Sequence, residues 1–128
     1  MVYRAYSYKI GRVVAMLDDE EWSSFKPLLT DMLRGLKDYR RRTGANLAEA
    51  EAKSQGVRTA TQRYLELTGE PIGNYAHLWY VGMSGYGRLC SDCGKPFRTP
   101  RARMCAECGS ELPEGEIAGP LNVPEAAE

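Results

Sequence analysis

Apolar residues along this chain keep two different rhythms, and the changes between them mark out its elements. Over residues 2–17, β-branched and aromatic side chains dominate (Val2, Tyr6, Tyr8, Ile10, Val13 and Val14), interrupted by Gly11. That pattern predicts two short strands meeting near the glycine. In "LDDEEWSSFKPLLTDMLRGLKDYRRRTG", Trp22, Phe25, Leu29, Met32, Leu33, Leu36 and Tyr39 recur at three- and four-residue steps, which sets them on one face of a helix. Asp18 or Asp19 suits the capping end. Arg40, Arg41 and Arg42 suit the C-terminal dipole, and Gly44 a stop. Pro27 has no amide hydrogen and is expected to kink this helix or begin a second one.

Asn46 and Glu49 have the spacing of a capping box, so "NLAEAEAKSQG" reads as a short helix ending near Gly56. "VRTATQRYLELTG" places Val57, Ala60, Tyr64 and Leu67 on one side of another, stopped by Gly69. "AHLWYVGMS" reads as a third strand, with adjacent Trp79 and Tyr80 facing opposite sides. Past Leu112, three prolines and four acids with little periodicity read as a loose acidic tail.

All four cysteines lie between residues 90 and 108, as "CSDCGK" and "CAECGS". Two residues between thiolates let a tight turn aim both sulfurs at one ion. The glycine that follows permits the positive φ such a turn needs. Two such turns supply the four ligands of a closed tetrahedral site, so Cys90, Cys93, Cys105 and Cys108 are the expected metal ligands, with one structural zinc ion the expected metal. Iron is the rival, and the sequence does not separate a static site from one that releases metal on oxidation. A cytoplasmic setting, the expected location for a chain with no apolar run of ~18 residues and no secretory-type start, disfavours structural disulfides.

Residues 88–111 resemble a zinc ribbon, which implies a β-hairpin module holding the metal through these four cysteines. The predicted architecture is therefore α+β. A small antiparallel sheet of about three strands packs with helices over residues 1–87, the ribbon covers 88–112, and the tail 113–128. The string "LWYVGMSGYGRLCSDCGKPFRTPRARMCAECG", following "EEWSSFKPLLTDM" and "YLELTGEP", is similar to small bacterial proteins that end in such a ribbon. Some of these are immunity proteins that bind and silence polymorphic toxins. That resemblance implies a protein partner, a cognate toxin or effector, and inhibition as the outcome.

Charge and motif content narrow the classes. Lysine plus arginine balance aspartate plus glutamate at 17 each, so no global field draws the protein to nucleic acid or membrane. Residues 88–111 carry five basic side chains against three acidic ones, but a zinc ion with four thiolates adds about −2 and leaves the module near neutral. Binding of nucleic acid, as a ribbon regulator would, is the alternative function. No nucleophile elbow, phosphate loop or dinucleotide turn occurs, and the single histidine, His77, reads as packed or capping. No catalytic residue is expected. For a partner-binding surface the candidates are the acids Asp18, Asp19, Glu20 and Glu21, the aromatics Trp79 and Tyr80, and the ribbon cations Arg98, Arg101 and Arg103.

Overall fold

The computed structural model describes residues 3–121. Val2 and tail residues 122–128 lie outside the described residues. The chain is α+β and divides into two compact units, one built from Met1–Asp19 with Tyr80–Glu128 and the other from Glu20–Trp79.

In the first unit β1 (Tyr3–Ser7) and β2 (Arg12–Met16) form an antiparallel pair in which Tyr6 faces Val13 and Ala5 faces Val14. The turn closes with Gly11 at φ 84° and its amide on the Ser7 carbonyl, 2.7 Å. Side chains alternate as a strand requires. Ala5 and Ser7 are buried, while Arg4 is exposed and Tyr6 half-buried.

Residues 80–86 line the inward side of this hairpin. Leu17 and Met83 are tied through Leu17 N to Val81 O (2.8 Å) and Met83 N to Leu17 O (2.9 Å). The expected third strand is absent here. Instead, Tyr75–Tyr80 and Met83–Gly85 are short 3-10 helices, and Gly82 between them makes one isolated parallel bridge to Leu17. Apolar density without strict alternation suits a 3-10 turn as well as a strand, and only Leu78 of the first segment is buried.

The second unit holds α1 (Asp19–Thr43), α2 (Leu47–Lys53) and α3 (Gln55–Thr68). α1 buries Phe25, Leu29, Met32 and Leu36, whereas Leu33, read as part of that face, is exposed. The helix runs on through Pro27 rather than restarting there. Pro27 and Ser23 are both exposed, so water can satisfy the carbonyl that loses its donor.

Asn46 caps α2, its side chain accepting from Glu49 N at 2.9 Å. α2 stops three residues short of the expected Gly56 because Ser54 takes over, ending α2 and capping α3 through Val57 N at 3.0 Å. Gly69 ends α3 with φ 75°. The Tyr75 hydroxyl donates to the Glu51 carboxylate. Burial first, then that bond and its negative charge, push the Tyr75 phenol up to about 12.

One glycine is there for lack of a side chain. A Cβ on Gly56 would sit 2.9 Å from the Met32 Cα and 3.3 Å from its Cβ. Gly56→Ala is expected to force α1 and α3 apart and lower stability by about 1–3 kcal/mol, readable as a denaturant midpoint shift at unchanged slope. Asn46→Ala removes only a cap and should lower stability by about 1 kcal/mol.

Candidate metal centre

The first knuckle leaves residue 88 and turns at 90–94, and the second repeats it fifteen residues later. Cys90 N bonds Lys95 O at 2.9 Å and Gly94 N bonds Cys90 O at 2.8 Å. Their counterparts are Cys105 N to Ser110 O at 2.8 Å and Gly109 N to Cys105 O at 2.7 Å. Gly94 and Gly109 both take positive φ, 79° and 83°, where a side chain would strain. Each knuckle is closed by one isolated bridge, Leu89 to Pro96 and Met104 to Glu111, in place of the longer hairpin that the ribbon resemblance implied. Pro96 is itself a bridge partner and Pro113 follows the second bridge, and proline donates nothing to a ladder.

This repeat brings all four cysteine sulfurs within 4.8 Å of one another, and the four thiols are free. Cys90 lies 3.8 Å from Cys108 and Cys93 lies 3.6 Å from Cys105, sulfur to sulfur. Four thiolates at ~2.3 Å from a central ion in a tetrahedron stand about 3.8 Å apart along each edge. The spacing fits a single metal ion. Cys90 and Cys105 are buried, and Cys93 and Cys108 face outward. Beneath them Cys90, Cys105, Phe97 and Ala118 form a small apolar cluster, edged by Ala102 and Leu112.

Backbone amides prepare the site for negative sulfur. The amides of Cys93 and Asp92 hold the Cys90 thiol down from 9.0 to about 7. At Cys93 the Lys95 amide also lowers, but burial and bonds among the thiols outweigh it and push that thiol up to about 12. Cys108 is raised too: the Ser110 amide pulls it down, against burial and the Cys105 and Cys90 thiols. Without metal, then, the surroundings of Cys90 favour its anion, a preference lost as pH falls through about 7. Binding an ion must expel the remaining protons. Metal uptake is therefore expected to release protons and to weaken steadily as pH drops from 8 toward 5, measurable by transfer to a chromophoric chelator.

No protein-family model matches the chain, and comparison with curated proteins and with solved structures finds no match. What the site can do rests on its own chemistry. Among the described residues no helix is long and apolar enough to cross a membrane.

The other candidate residues do not gather in one place. Asp18, Asp19 and Glu20 are exposed at the start of α1 and Glu21 is half-buried, in keeping with their place in a helix first turn. Trp79 and Tyr80 sit on a 3-10 helix, so the strand geometry that would have set them on opposite sides does not apply; Trp79 is half-buried and Tyr80 exposed. Arg98 is committed within the fold. Its Nε and Nη2 both donate to one Glu107 oxygen, at 3.0 and 2.9 Å, and its guanidinium lies 4.5 Å over the Tyr8 ring. Arg101 and Arg103 are exposed and form no ion pair among the described residues. His77 is half-buried on a 3-10 turn, its Nδ1 buried without a hydrogen-bond partner among the described residues.

Several participants were not legible in the sequence. Asp92 accepts from the Ser110 hydroxyl, so each knuckle is tied to the other by a polar side-chain bond. The segment after residue 112, expected to be loose, instead closes the module as far as Leu121. Ala118 N bonds Ala102 O at 2.9 Å, Gly119 N bonds Pro100 O at 2.8 Å, and Arg88 Nε reaches Ala118 O at 2.7 Å. Only the repeated small residues Ala118 and Gly119 among acids and prolines hinted at a packed stretch.

Proposed function

We propose that this chain is a non-catalytic zinc-binding protein that works by recognition: it binds and inhibits a protein partner, a bacterial toxin in the immunity arrangement implied by its resemblance. The observation that carries the metal half is the set of four thiols at tetrahedral edge distances. Four protein sulfurs fill a tetrahedral ion and leave no position for a water to be activated, which favours a structural centre over a catalytic one. Zinc suits all-thiolate tetrahedral coordination and needs no redox partner.

The protein-partner half draws on the near-neutral charge and on the engagement of Arg98, one of the three cations that a nucleic-acid surface would need. Elemental analysis of the purified protein is expected to give one equivalent of zinc and a colourless solution; one equivalent of iron with visible charge-transfer bands would replace zinc by iron. Co-expression with the product of the neighbouring reading frame is expected to yield a stoichiometric complex and to restore growth of cells that make it. Growth arrest unrelieved by this chain, with no complex recovered, would end the inhibitor reading.

A further inference from the structure

The β-hairpin is gripped on its two faces by different parts of the chain. Its inward face is held by residues 80–86. The Ser7 hydroxyl donates to the Tyr86 hydroxyl at 2.7 Å, which itself donates to Tyr80 O at 2.6 Å, and Leu17 bonds Val81 and Met83 through the backbone. Its outward face carries Tyr6, half-buried; Tyr8, in the turn just past β1, meets Tyr86 edge-on with ring centroids 6.2 Å apart and also has Lys9 Nζ 5.7 Å from its ring. Over these two rings lie cations from the first knuckle: Lys95 Nζ is 4.3 Å from the Tyr6 centroid, and the Arg98 guanidinium is 4.5 Å from that of Tyr8.

Both cations are positioned by the metal-site framework. The Lys95 carbonyl accepts from Cys90 N, and its amide is the one that points at the Cys93 sulfur. Arg98 is anchored by Glu107, which sits between Cys105 and Cys108 on the opposite knuckle. Arg98 thus spans three pieces of chain: the hairpin ring, the first knuckle and the second.

We propose that metal occupancy of the four-cysteine centre latches the outward face of the hairpin, and that loss of the ion lifts Lys95 and Arg98 off Tyr6 and Tyr8 while the β1–β2 ladder, held from its other side, persists. The metal site is then a switch for the exposure of these two rings. This rests on the zinc reading above.

The test uses the intact metal-loaded protein with labelled tyrosine rings, followed by NMR and amide hydrogen exchange before and after chelation under reducing conditions. On chelation, the Tyr6 and Tyr8 ring resonances are expected to move to solvent-exposed positions, and the ladder amides of 3–7 and 12–16 to keep their protection within about tenfold. The double variant Lys95→Ala, Arg98→Ala, still carrying one equivalent of metal, is expected to show the same ring shifts without chelation. Rings that stay put when the ion leaves, ladder protection that collapses with it, or a metal-loaded double variant with unmoved rings would each overturn the latch while leaving the zinc reading intact. A purified protein with no bound metal would end both.

Discussion

Cys105→Ser is expected to leave the protein with well under one equivalent of metal and to melt residues 87–121 as a block. Apparent binding free energies for structural zinc in small domains run about 10–16 kcal/mol, and in such modules that energy is the folding energy. The segment has little else to replace it. Its apolar cluster comprises Cys90, Phe97, Cys105 and Ala118, with Ala102 and Leu112 at the edge. Cys105 is 0% exposed, so serine would also leave a hydroxyl in an apolar setting, a further cost of about 1–3 kcal/mol if it finds no partner. Cys108 faces outward, and Cys108→Ser should lose the metal without that second penalty. Titrated with excess metal, which would refold a three-thiolate site, Cys105→Ser should bind it more weakly than Cys108→Ser. Equal metal content in Cys105→Ser and the unaltered protein would contradict the site.

Gly87→Ala is expected to cost about 3 kcal/mol or more, about 12–24 °C in melting temperature for a unit of this size. A Cβ there would meet Thr99 O at 2.6 Å, the Phe97 Cβ at 2.8 Å and the Ala118 Cβ at 3.1 Å. Two of these three neighbours cannot swing aside. Thr99 O is backbone, and Phe97 is fixed by mutual bonds, Gly87 N to Phe97 O at 2.8 Å and Phe97 N to Arg88 O at 2.9 Å. Gly87 also bridges Pro120, so the same clash reaches the closing segment. Gly85→Ala is the matched control: nothing lies within 4 Å of its Cβ position, and a change within about 0.5 kcal/mol is expected. Thermal melts of the two variants side by side separate lost space from lost glycine flexibility.

How far these features could be read from residues alone depends on whether their cause is local. The four ligands, the Asn46 cap and the Gly11 and Gly69 turns depend on residues a few positions apart, and each was legible in the sequence. The long face of α1 was legible for the same reason, save for Leu33 at its margin. The segment 75–85 was not, because short apolar stretches suit a strand or a 3-10 turn equally and burial decides between them. Packing of 113–121 was hidden because its partners, Arg88, Pro100 and Ala102, lie far back along the chain. The stacking of Arg98 on Tyr8 joins residues ninety apart, and no periodicity reports such a contact.

The first unit draws on both ends of the chain, whereas Glu20–Trp79 is one uninterrupted stretch. Emerging from a ribosome at about 5–20 residues per second, the helical stretch has all its partners early, but the N-terminal hairpin must wait several seconds for the residues that cover it. During that interval the apolar side of the hairpin, Ala5, Val14 and Met16, stands bare. Residues 80–86, which grip its inner side, end that wait, so the length of the Glu20–Trp79 stretch sets how long a nascent chain stays open to aggregation.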